Sequence, residues 1–265
     1  MKNYLTFDWE EWSDTASMEG WNSSATSVKI LQSATERILE MIRPLSATFF
    51  VLATRVKEHV ALIRRISKDG HEIALHGLEH VPMSRYSPVR FREDILTAKN
   101  IVEDITGVPV IGFRAPNFSM TVQHRWALDI LFSCGFKYDS SMSLRVFRDY
   151  SRRGCLPIRE VPRSGVGPGM LPLPFGGGVF LRIYPYAWTR SWIRQANACG
   201  ERSMVYVHPW ELDASWMKVH RLPWRARALM GSGVAAAKER LSRLLKDFLF
   251  GSIRDILDDE KVNDR

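Results

Sequence analysis

The chain switches repeatedly between two spacings of apolar residues. Short runs such as "YLTFDW" (4–9) and "ATFFVLA" (47–53) are almost continuously apolar, as a strand covered on both faces would be. Between them the spacing becomes helical: "VKILQSATERILEMI" (28–42) sets Val28, Ile30, Leu31, Ile38, Leu39 and Ile42 on one face. The same pattern predicts helices over 59–70, 89–107, 124–135 and 186–200, with Gly70 and Gly107 as C-terminal caps. Strands are predicted over 71–75, 110–116, 136–141, 158–162 and 204–208. Strands alternating with helices require a mainly parallel α/β sheet, and a closed barrel and an open sheet both satisfy the pattern. Glycine and proline gather at 154–178, which predicts a surface excursion with short β segments. The tail 235–257 reads as one helix, with Leu241, Leu244, Leu245 and Phe248 on the face packed against the body.

With 265 residues, the chain can form one large α/β domain or two small ones. No apolar run has membrane-spanning length, and "MKNYLTFDWEEW" lacks the features of a secretory leader, so the expected location is the cytosol. Cys134, Cys155 and Cys199 are scattered and suggest neither a disulfide framework nor a cysteine zinc site. The 37 basic and 29 acidic residues leave a net charge of +8. Yet "RRIS" (64–67), "SRRG" (151–154) and "HRLPWRAR" (220–227) are short and far apart. No basic stripe interleaves with aromatics, so nucleic acid is not an expected partner. A solvated basic surface is the plainer reading, with attraction to an anionic glycan or a membrane face as the weaker one.

The predicted strand ends carry the chemistry: Asp8 and Glu10, His76 and His80, Arg114, Asp139, and His208. In a βα barrel those ends build the active site. Each residue also has an ordinary structural explanation, such as a cap, an ion pair or a satisfied core histidine. His76 and His80, four apart, are either two polar helix residues or two ligands that reach one ion from the same face of a helical turn. A carboxylate from another strand end would complete a three-ligand site with an open position, the catalytic arrangement for zinc. Gly77 follows His76, so this is not the HExxH motif of metalloproteases.

The segments "TFDWEEW" (6–12), "HGLEH" (76–80), "FRAPNFS" (113–119), "YDSS" (138–141) and "VHPWEL" (207–212) together resemble the motifs of polysaccharide deacetylases, carbohydrate esterase family 4, which share the chitooligosaccharide-deacetylase homology domain. The resemblance is nearest to the bacterial surface-polysaccharide and exopolysaccharide branch. It implies a distorted (β/α) barrel over 1–212, with 213–265 as a C-terminal helical extension on the same domain. It implies Asp8 as catalytic base, Arg114 as the arginine that holds it, His208 as general acid, Asp139 as the residue orienting His208, and an oxyanion-binding backbone N–H near Asn117. It implies His76 and His80 as ligands of a divalent metal, zinc being the expected ion.

The third ligand departs from the family pattern, because Trp9 and not an acid follows Asp8. Side chains alternate along a strand, so Glu10 shares the face of Asp8 and is the expected ligand, with Glu11 as the fallback. Trp9, Trp12, Phe118 and Trp210 lie beside the motifs, either as a sugar-stacking platform or as packing. The charged stretch "DSSMSLRVF" (139–147) is expected to be irregular. The implied reaction is removal of an N-acetyl group from an amino sugar of a bacterial surface polysaccharide or its precursor. A lipid-linked glycan such as a lipopolysaccharide O-antigen intermediate at the inner membrane is the substrate that a cytosolic location would favour. A degenerate member that binds glycan without catalysis, and an enzyme for a different acyl group, are the alternatives.

Overall fold

The computed structural model describes residues 1–14, 25–152, 154–167, 172–219 and 231–263. The basic stretch 220–227, Arg153 in "SRRG" and residues 168–171 of the Gly/Pro-rich excursion lie outside the described residues.

In chain order, β1 (Lys2–Trp9) and α1 (Ala25–Ile42) precede β2 (Thr48–Leu52), α2 (Ala53–Glu58), α3 (Val60–Lys68), β3 (Glu72–Gly77) and α4 (Pro88–Thr106). There follow β4 (Gly112–Phe113), α5 (Arg125–Ser133), β5 (Tyr138–Asp139), α6 (Leu144–Ser151), β6 (Arg159–Glu160), β7 (Gly165–Val166) and β8 (Leu173–Pro174). The chain continues through α7 (Val179–Ile183), α8 (Tyr186–Ala198), β9 (Met204–Val207), α9 (Val234–Asp247), β10 (Leu249–Gly251) and α10 (Ile253–Asn263). The chain divides into two compact units, Met1–Thr48 with Phe175–Arg265, and Phe49–Pro174.

In the first unit, β1 lies between β9 and β10, parallel to both. Seven of its eight residues are buried, which explains the unbroken apolar run. The tail is not one helix. Phe248 is extended, and α9 stops so that β10 can pair with Lys2–Tyr4 before α10 begins. Strand pairing with β1 outweighs the helical apolar spacing of the tail, an interaction that no local pattern carries.

In the second unit the strands run in the order β2, β3, β4, β5, β6, with β3 to β6 parallel. The longest helix among the described residues, α4, shows how the sequence sets its ends. Ser87 caps it by accepting from the Arg90 N–H, Pro88 occupies the first turn, and Gly107 turns left-handed (φ 71°) to close it. The short antiparallel pair β7–β8 accounts for the predicted excursion. The stretch after Asp139 is more regular than predicted. Ser143 accepts from the Val146 N–H and starts α6, a helix that packs through Tyr150.

Candidate active site

The register of the parallel strands places the site residues. In the first unit Phe7 pairs with Val207, so Asp8 and His208 are the next residues out at the C-terminal ends of neighbouring strands. Pleating turns Asp8 and Glu10 to the same side. His208 Nε2 lies 3.9 Å from an Asp8 carboxylate oxygen and 3.6 Å from one of Glu10. Glu11 turns into the following bend, where it accepts from the Ser13 hydroxyl and its N–H donates to Asp14. Asp8, Glu10 and Glu11 are all buried.

The other imidazole nitrogen has its own carboxylate partner. His208 Nδ1 is 2.8 Å from Glu211 Oε2, which also accepts the His208 backbone N–H at 3.1 Å. His208 caps the single turn Pro209–Leu212 and Glu211 reaches back to it, a capping box in which histidine replaces the usual serine. The second Glu211 oxygen is in ion-pair contact with Arg182 Nε from α7, at 2.9 Å, and both side chains are at most 5% exposed. Arg182 also donates to the Ser232 carbonyl and lies over the Trp210 ring, which itself stacks on His208. Burial lowers the His208 pKa, but the charge and hydrogen bond of Glu211, then Glu10 and Asp8, outweigh it and push it up to about 9.

In the second unit, Leu75 pairs with Phe113, Phe113 with Asp139, and Asp139 with Glu160. The next row outward therefore begins with His76, Arg114 and Ser140. His76 Nδ1 lies 2.9 Å from the Arg114 carbonyl, which leaves Nε2 for a ligand. His76 belongs to β3, not to a helix. The helical-turn reading of "HGLEH" is thus corrected. A strand end followed by a bend at Gly77 (φ +126°) brings His80 alongside, with ring centroids 5.6 Å apart. A side chain at position 77 would press within 2.8 Å of the Glu79 carbonyl, so glycine is required for the bend.

Arg114 is fully buried, donates to the carbonyl and hydroxyl of Ser140, and lies 3.9 Å over the Phe50 ring. Asn117 sits in a tight turn in which both it and Phe118 adopt left-handed backbone (φ 59° and 49°). Consecutive non-glycine residues there hold local strain, and such strain clusters at functional sites.

Within the second unit, Asp139 is bonded to its neighbours. Its carboxylate bonds the Ser141 hydroxyl at 2.5 Å and its backbone N–H at 3.3 Å, and it is hydrogen-bonded to Glu160. Burial raises the pKa of Asp139. Burial, together with the Asp139 charge, raises that of Glu160 well above the usual carboxylate range. At His208 the carboxylate in contact with Nδ1 is that of Glu211. The sequence did carry its signal, because "HPWE" has capping-box spacing with proline at the first position. Arg182, 29 positions upstream, had none.

The tryptophans are packing. Trp9, Trp12 and Trp210 are buried, and Trp12 stacks on Trp216 at 5.8 Å within a cluster that includes Ile30 and Trp210. Phe118 is half-buried, with Arg114 and Arg163 over its ring.

Among the described residues, no helix is long and apolar enough to cross a membrane. A polysaccharide deacetylase family model matches residues 4–138, and a domain of unknown function (DUF3473) matches 139–258. The chitooligosaccharide deacetylase of Bradyrhizobium sp. (strain ANU 289) is 27% identical over 180 residues, 67% of this chain and 76% of that protein. The structure of the peptidoglycan deacetylase PdaC from Bacillus subtilis matches with a TM-score of 0.53 at 15% identity, over 99% of this chain and 94% of that one. A CE4 family pseudoenzyme from Bacillus anthracis matches with a TM-score of 0.54 at 14% identity, over 97% and 66%. The structural likenesses show the fold, which is the (β/α)-barrel type expected from the motifs.

Proposed function

The chain belongs to the polysaccharide deacetylase family, and from that premise we propose that it hydrolyses the N-acetyl group of an amino sugar in a bacterial surface polysaccharide or its precursor. The observation that carries this reading is the β1–β9 register, which sets Asp8, Glu10 and His208 around one point. A base, a ligand and an acid at one strand edge suit amide hydrolysis, where water must be deprotonated and the amine protonated.

The ligand set we propose for a divalent ion, zinc by its donors, is Glu10, His76 and His80. Two imidazoles and one carboxylate are a catalytic set, and the His76 contact with a backbone carbonyl is the usual support of a metal-binding histidine. Such an ion, when bound, polarises the acetyl carbonyl and acidifies the attacking water. The protein's own groups do the rest. Asp8 takes a proton from the water as its oxygen bonds the carbonyl carbon. Arg114 takes the place of the arginine that, in the family's pattern, holds the base carboxylate. The N–H at Asn117 donates to the tetrahedral oxyanion. His208 Nε2 gives its proton to the amide nitrogen as the C–N bond breaks, and acetate and the free amino sugar leave.

The specific substrate we favour is a lipid-linked precursor, such as a lipopolysaccharide O-antigen intermediate, handled at the cytosolic face of the inner membrane. The +8 charge supports that location. The test measures acetate released from N-acetylated oligosaccharides and lipid-linked precursors, with metal content before and after chelation. Acetate release that is lost on chelation and restored by zinc is expected. Glycan binding with no acetate release under any divalent metal identifies a non-catalytic binder. Release of another acyl group redirects the substrate.

A further inference from the structure

Three clusters of charged or exposed groups stand out among the described residues. The groove between α8 and α9, with Arg190, Arg194, Arg243 and Lys246, contains its own counter-ion in Asp247 and nothing that points to a ligand. The aromatic row Phe180, Tyr184, Trp188 and Trp192 shows no sign of what covers it. The third cluster, around the second nitrogen of His208, goes further.

We infer that Glu211 and Arg182 are the positioning pair of the reaction, fixing the imidazole of His208 so that Nε2 delivers the proton, and that Asp139 has no part in this. The inference rests on the deacetylase reading for the step it serves, but its geometry belongs to the first unit alone. Glu211 Oε2 accepts from two groups of one residue, the backbone N–H and Nδ1 of His208. Two bonds to one oxygen leave the ring a single orientation, with Nε2 toward Asp8 and Glu10. Trp210 stacks on the ring at 5.1 Å and prevents tilting. Arg182 in turn fixes Glu211 in place through the buried 2.9 Å ion pair.

Arg182 is itself built in. It donates to the Ser232 carbonyl, and its own carbonyl accepts from Arg240 of α9. Gly233 at the start of α9 packs against that carbonyl so closely that a Cβ would lie 2.3 Å away. The relay is therefore assembled from α7, the turn after β9 and the start of α9. In the step it supports, the proton on Nε2 moves to the amide nitrogen, the C–N bond breaks, and the ring is left neutral with its remaining proton on Nδ1, held by Glu211.

The test separates positioning from folding by the leaving group. An amine must be protonated to depart, whereas 4-nitrophenolate departs without a proton. Wild type, Glu211→Gln, Arg182→Lys and Asp139→Asn are compared on an N-acetylglucosamine oligomer and on 4-nitrophenyl acetate. Glu211→Gln is expected to lose ~10²- to 10³-fold in kcat on the amide with KM nearly unchanged, the range for a disabled general acid. Its ester rate should stay within a few-fold of wild type. Arg182→Lys should show the same selectivity at smaller size. Asp139→Asn should change amide and ester by one common factor. Equal losses on both substrates in Glu211→Gln, an amide rate left intact, or a selective loss in Asp139→Asn each overturn the inference. Nitrogen-15 NMR of His208 is the second readout. A hydrogen-bonded Nδ1–H is expected in wild type and not in Glu211→Leu, which has no acceptor. Should wild type release no acetate from any glycan, the deacetylase reading falls while the NMR result still decides the pair.

Discussion

Two buried glutamates, Glu211 and Glu160, stand next to residues that the motifs mark for chemistry, and their neighbours give them opposite characters. Glu211 faces Arg182 and His208. Glu160 faces Asp139, and burial with that second carboxyl pushes its pKa well above the usual range. A buried carboxylate paired with a cation can orient an imidazole. A buried carboxyl beside another carboxyl has its pKa raised and serves its local bonds, here the Met142 N–H and Asp139. Desolvation is common to both, so the sign of the neighbour decides the role.

The largest expected effect is at the residue Glu211 serves. His208→Ala should lower deacetylation ~10²- to 10⁴-fold with an unchanged thermal transition, measured as acetate release beside a melting curve. Full retention of turnover would remove the functional side of the comparison.

Next in size is the ion pair itself. Arg182→Met leaves Glu211 buried without its cation and should cost about 3–5 kcal/mol in chemical denaturation. Adding Glu211→Leu to it should recover most of that stability while leaving activity low, because an apolar pair of similar volume is tolerated in a core. Equal stability of the single and double variants would show that the charge pairing is not what matters.

The Asp139–Glu160 pair predicts a pH dependence. Both folded pKa values are raised by burial, so the unfolded chain ionises at lower pH than the folded one. The stability this pair contributes is complete below the ordinary carboxyl pKa and is lost as pH rises through the raised values. One proton gives a slope of up to about 1.4 kcal/mol per pH unit. Glu160→Gln keeps an acceptor for the Met142 N–H and should remove part of that slope, so that the variant gains on wild type at alkaline pH. Denaturation series across pH measure this, and parallel curves for the two proteins count against the shared-proton pair.

The smallest effect calibrates the others. Lys2 and Asp259 are paired at 2.9 Å, but about half of each side chain is exposed. Lys2→Ala should change stability by less than about 1 kcal/mol and fade with salt. A larger change would mean that charge pairs in this protein do not scale with burial.

Much of this was legible in the sequence. The buried strand β1 shows as a continuous apolar run, and α4 shows through Ser87, Pro88 and Gly107. The order of the motifs gave the family, and strand pleating separated Glu10 from Glu11. Where the local pattern failed, a distant segment had intervened. The tail broke into α9, β10 and α10 because residues 249–251 pair with Lys2–Tyr4 of β1. The histidine pair had the right spacing for the wrong reason, since four residues suit a helical turn and also suit a strand end with a glycine bend.

The sequence by itself determined the inventory: which strand ends carry an acid, an arginine or a histidine, and even the H-x-x-E spacing that ties Glu211 to His208. Only the tertiary structure decided the pairings. Register put Asp8 beside His208 and Asp139 beside Glu160, and the packing of α7 delivered Arg182 to Glu211. The physical reason is that capping, pleating and periodicity act over a few residues and are written in them, whereas the charge state and role of a buried carboxyl depend on which distant group the fold brings within a few ångströms.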